Sequence, residues 1–130
     1  MLNLTLALEL RDAGLSWHPK AGDRFMVTNV EMVDDLFHLA DMVIEARRLG
    51  TGTVFAFNGT TEWALDSVDQ DKTVWLPDEG QLRSLLGNRF AALERRGEEF
   101  VVTSHDGSEY TDPDPENAYA RALLDTLRAG

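Results

Sequence analysis

The chain contains no cysteine, which excludes disulfides, thiolate metal sites and cysteine nucleophiles. No apolar run approaches the roughly 20 residues that a membrane-spanning helix needs, so no membrane role is expected. The opening Met1-Leu2-Asn3-Leu4-Thr5-Leu6 has no basic segment and soon meets Glu9, Arg11 and Asp12, so a signal peptide is not expected either. Catalytic signatures are missing as well. There is no Gly-x-x-x-x-Gly-Lys-Ser/Thr phosphate loop, no His-Glu-x-x-His pair and no serine in a Gly-x-Ser-x-Gly turn. Basic residues are scarce, 12 against 23 acidic ones, and the net charge of -11 repels phosphate backbones and anionic surfaces. Nucleic acid is therefore not an expected partner, and an acidic mimic of nucleic acid is the weaker alternative. Neither a cofactor nor a metal is expected.

What is present is enough apolar residue, 43% of 130 residues, to build a core without cross-links. Leu2, Leu4, Leu6, Leu8 and Leu10 alternate at a strand period. Their company of Ala, Glu and Arg favours helix, and Gly14-Leu15 suits a helix stop with its hydrophobic follower. The first segment therefore reads as a helix with two leucine stripes, Leu2/Leu6/Leu10/Ala13 and Leu4/Leu8/Leu15. A helix apolar on two sides must be covered on two sides, by the rest of the chain or by a second copy.

Trp17 to Asp23 reads as a loop broken by Pro19. Strands are expected over 24–30, 36–39 and 42–49. Gly50-Thr51-Gly52 then turns the chain into a strand over 53–57. After Asn58-Gly59, Thr60 or Thr61 can cap a short helix running through Val68. A short extended piece, 73–76, precedes a helix opened by Asp78 with Gln81 three residues on, a capping-box spacing. Leu82, Leu85 and Leu86 form its apolar stripe, and Gly87 stops it. Phe90 to Arg96 and Glu99 to Ser104 flank Gly97-Glu98 as a hairpin. Asp106-Gly107 is a further turn. Asp114-Pro115-Glu116 starts a final helix whose inner stripe is Tyr119, Ala122, Leu123 and Leu127. The expectation is one α+β domain over 1–130: an antiparallel sheet of about five strands with N-terminal, middle and C-terminal helices packed on it.

The densest set of functional side chains runs from Thr53 to Leu76. Glu62 and Asp66, four apart, share a face if helical and could act as a carboxylate pair or bind a divalent cation, with Trp63 and Trp75 excluding water. Asp23 is a third acidic candidate. The plainer reading of the pair is surface charge on an acidic protein. Trp17, Asn58, Trp63 and Trp75 are the candidates for ligand binding, weighed against a role as core. His18, His38 and His105 have no metal-site spacing.

Three blocks also carry a family likeness. They are Leu10-Arg11-Asp12-Ala13-Gly14-Leu15-x-Trp17-x-Pro19-x-x-Gly22-Asp23-Arg24-Phe25, Phe57-Asn58-Gly59-Thr60-Thr61-Glu62-Trp63-Ala64-Leu65-Asp66-Ser67 and Trp75-Leu76-Pro77-x-x-x-Gln81-Leu82-Arg83. In these the chain resembles a family of short actinobacterial proteins often labelled pilus assembly proteins. The resemblance implies a bacterial source and no particular activity, so no residue role comes with it. The chain lacks both the length and the phosphate loop of pilus-localisation ATPases. The functional expectation is a cytoplasmic module that binds an unidentified protein or small ligand and self-associates as a homo-oligomer through the first helix. The alternative is a small enzyme or metal site on Glu62 and Asp66.

Overall fold

A computed structural model describes residues 1–27, 36–38, 44–49, 52–57, 67–69 and 73–130. The class is α+β. Three helices, α1 (Leu4–Asp12), α2 (Glu79–Leu86) and α3 (Pro115–Ala129), accompany strands that all pair antiparallel. The chain divides into two compact units, one built from residues 1–16 with 76–130, the other from 17–75.

In the first unit, α1 settles the conflict between period and propensity in favour of helix. Asn3 is its N-cap, the side-chain oxygen accepting the Leu6 N–H at 2.8 Å. At the other end Gly14 takes φ +104°, the Gly14 N–H donates to Arg11 O and the Leu15 N–H to Leu10 O. That is the Schellman pattern expected of a glycine one residue past the cap. Leu6 and Leu10 are buried, while Leu4, Leu8 and Leu15 remain half-buried.

The capping box at Asp78 and Gln81 forms in both directions, at 2.8 and 3.0 Å. Leu82 and Leu86 are buried, but Leu85 is 39% exposed and leaves the expected stripe. Helices α1 and α2 both pack on α3, where Tyr119, Ala122 and Leu123 of the expected stripe are buried and Leu127 is half-buried.

Strands β7 (Phe90–Arg96), β8 (Glu99–Ser104) and β9 (Glu109–Asp112) form the sheet of this unit, with β8 central and α3 lying across β8 and β9. The hairpin registers Arg96 opposite Glu99, and Gly97 takes φ +64° at the first central position of its two-residue turn. Strand β9 was not expected, because Glu-Tyr-Thr-Asp has too little apolar alternation to stand out. Its pairing with β8 decides its state.

The described residues of the second unit form two sheets. One has strand order β2 (Leu36–His38), β1 (Arg24–Val27), β6 (Thr73–Trp75). The other runs β3 (Ile44–Leu49), β4 (Gly52–Phe57), β5 (Ser67–Asp69). The expected β3–β4 hairpin forms, but Leu49 lies opposite Gly52, so Gly52 belongs to the strand and not to the turn. Two further expectations need correction. Among the described residues, the strands form three sheets of three instead of one sheet of about five, because none of these strands exceeds seven residues and pairing is mostly with sequence neighbours. And Val68 is not the end of a helix: 67–69 pairs with β4, Phe55 opposite Val68, where a β-branched residue suits a strand. The expected helix upstream of Ser67 lies outside the described residues. Among the described residues, no helix is long and apolar enough to cross a membrane.

Candidate functional site

Three of the candidate side chains meet in the second unit. The antiparallel pairing of β1 with β6 places Phe25 directly opposite Trp75. The loop before β1 folds Trp17 onto both: its ring stacks on Trp75 at 6.3 Å with the planes 8° apart, and lies 5.5 Å from Phe25, tilted by 38°. Aromatic pairs at these separations gain about 0.5–1.5 kcal/mol beyond area burial.

Asp23 locks that loop. Its Oδ2 accepts the Trp17 indole N–H at 2.9 Å and the Lys20 backbone N–H at 3.1 Å, while the Asp23 N–H closes the turn onto Lys20 O at 3.1 Å. The residue is 2% exposed. A carboxylate so withdrawn from water needs such donors, since an unpaired one would neutralise or disrupt its surroundings. Asp23, a candidate for chemistry, is thus placed as the brace that orients Trp17, and both of the donors named are spent on its Oδ2.

Trp75 contributes a different feature. Its indole Nε1 is buried and, among the described residues, meets no hydrogen-bond partner, an omission that typically costs about 1–3 kcal/mol. Its ring is therefore held by packing, between Trp17 and the strand pair.

Glu62, Asp66, Asn58 and Trp63 lie outside the described residues. His18 and His105 are exposed. Among the described residues, no group of three or more His, Asp or Glu is arranged to hold a metal ion.

A polar assembly in the first unit escaped the sequence reading. Glu116 receives the Leu2 N–H at 2.8 Å on one oxygen and the Glu79 N–H at 3.0 Å on the other. Asn117 Oδ1 accepts the Asn3 N–H at 2.9 Å, and its Nδ2 donates to Asp112 at 3.2 Å. One turn of α3 thereby satisfies backbone donors at the starts of α1 and α2, groups that have no partner within their own helices. Burial pushes the Asp112 carboxyl up, but the Asp114 N–H, Arg121 and Asn117 together outweigh it and hold the pKa below the ordinary range. For Tyr119, burial and then the nearby Glu79 carboxylate push the phenol above its usual value. The only sequence trace of this assembly is the acidic run Asp112-Pro113-Asp114-Pro115-Glu116, which reads locally as a helix start. Its long-range acceptors need the fold.

The chain matches no protein-family model, no curated protein and no solved structure.

Proposed function

We propose that the chain is a cytoplasmic binding module, not an enzyme, and that it associates with copies of itself through α1. The observation that carries this reading is the contrast between the two leucine stripes. Leu6 and Leu10 are buried, whereas Leu4 and Leu8, on the other side of the same helix, are only half covered. An apolar stripe left partly in water is stabilised by whatever covers it, at roughly 25 cal/mol per Å² removed from solvent. The braced aromatic cluster favours the same class. Its one described carboxylate, Asp23, is occupied by internal donors, which suits a scaffold for a binding surface better than an acid or base.

The test is the mass of the full chain in solution as a function of concentration, by sedimentation velocity, with Leu8→Glu beside the parent chain. Association that weakens about tenfold or more in the variant, with helical circular dichroism retained, supports the reading. A parent chain that stays monomeric throughout removes self-association from it.

A further inference from the structure

The sheet of the first unit ends in a strand built to pair with another strand. Among the described strands, β7 is paired on one side only, with β8. Arg96 and Glu99 flank a two-residue turn, and residues in that position exchange both backbone bonds. Alternate residues Ala92, Glu94 and Arg96 therefore direct their N–H and C=O groups at β8, and Leu93 and Arg95 direct theirs away from it. The side chains leave that edge open: Ala91, Ala92, Glu94 and Arg95 are exposed and Leu93 half-buried. The opposite edge differs. Strand β9 has only four residues, and its Tyr110 and Asp112 side chains are tied to Asp125 and Arg121 of α3.

We infer that β7 adds to β7 of a second copy, antiparallel across a two-fold axis at Leu93, joining the two sheets of three strands into one of six. Only pairs drawn from the outward-facing residues can exchange backbone bonds, which restricts the register. Centring on Glu94 sets two carboxylates opposite each other, and centring on Arg95 sets two guanidinium groups opposite, both unfavourable. Centring on Leu93 sets leucine against leucine, Ala92 against Glu94 and Ala91 against Arg95. Each long charged side chain then faces an alanine that leaves room for it, and no like charges are directly opposed. The shift in register between Phe90 and Ala92 bends the strand there and confines the pairing to 91–95.

The charges next to the junction are already composed. Arg96 reaches Glu109 with two bonds, at 2.8 and 3.2 Å, and also pairs with Glu94. This triad lies on the face of the sheet that carries Val101, itself only 2% exposed. Glu94 therefore enters the junction already paired with Arg96, in a triad that carries one net negative charge. So short a junction is a weak interface of the transient class, detectable only at high protein concentration.

This inference rests on the reading of the chain as self-associating but uses a surface separate from α1, so the decisive experiment silences α1 first. In a Leu8→Glu background, the mean mass by sedimentation should still rise over a series reaching several hundred micromolar. Adding Arg95→Pro removes an outward N–H without touching the β7–β8 ladder, and Leu93→Lys sets two like charges opposite at the axis. Each should weaken association about tenfold or more with the circular dichroism spectrum unchanged. A background protein that is monomeric at every concentration overturns the inference, and if the parent chain still associates, the α1 reading stands alone. Association that ignores both β7 substitutions overturns it equally. Association blocked by the β7 substitutions but indifferent to Leu8→Glu upholds β7 and removes α1.

Discussion

The two units of this chain are closed by different groups: the first by polar side chains on backbone donors, the second, in its described cluster, by aromatic packing. The first is closed by contacts between residues far apart in sequence: Glu116 and Asn117 of α3 cap backbone N–H groups of Leu2, Asn3 and Glu79. In the second, the described cluster brings together the two ends of one continuous segment, Trp17 stacking on Trp75 and Phe25 facing it, with Asp23 bracing Trp17 from six residues away. A unit stitched from both ends of a chain loses its order when either end is released. A unit made from one continuous segment does not depend on the ends in that way. The sequence also distributes the probes conveniently, since all three tryptophans lie within 17–75 and all three described helices outside it. Indole fluorescence reads one unit and helical circular dichroism the other.

The largest effect expected is from Phe25→Ala. Phe25 is fully buried, and truncations of this kind cost about 3–5 kcal/mol. The fluorescence midpoint in urea should fall more than the helical one. If both fall together, the units unfold as one cooperative block and the contrast between them fails.

Next is Glu116→Ala, which orphans two helix-start donors and should cost about 1–3 kcal/mol, read in the helical signal. An equal drop in fluorescence midpoint would again argue for a single block. A slightly smaller loss, about 1–2 kcal/mol and seen first in fluorescence, is expected of Trp17→Phe, which keeps the ring but removes a donor to buried Asp23. Trp75→Phe removes an indole N–H that has no partner among the described residues, so it should be the milder of the two tryptophan substitutions.

Acid provides a third, smaller comparison. The Asp112 pKa is lowered in the folded state, so its contribution is present above the unfolded value of about 3.9 and is lost as pH falls through the folded one. Helical stability should therefore decline below about pH 4, and Asp112→Asn should flatten that slope. A slope unchanged by the substitution would assign the acid sensitivity to other carboxylates. At the bottom of the scale stands Arg96→Ala. Its ion pairs with Glu109 and Glu94 are solvent-exposed, and no measurable change in melting temperature is expected.

Much of this arrangement could be read from residues a few positions apart. Asn3, Asp78 with Gln81, and Asp114 with Pro115 begin helices because their side chains reach backbone groups two or three residues on. Gly14 ends one, and Gly97 turns a hairpin, because positive φ is easy only for glycine. These features, the α+β class and the inner stripe of α3 follow from local geometry and period, and the sequence by itself determined them. Where local signals were weak or misleading, the partner decided. Polar β9 is a strand because β8 offers a ladder, Val68 is extended because Phe55 pairs with it, and Leu85 stays out although it continues a stripe. Asp23 looked as available for chemistry as any other carboxylate until the fold placed an indole N–H on it. Glu116 looked like helix-start charge until α1 and α2 brought their unpaired donors to it. Only tertiary structure could settle these, because the energy of a buried donor or acceptor depends on which distant group arrives to satisfy it.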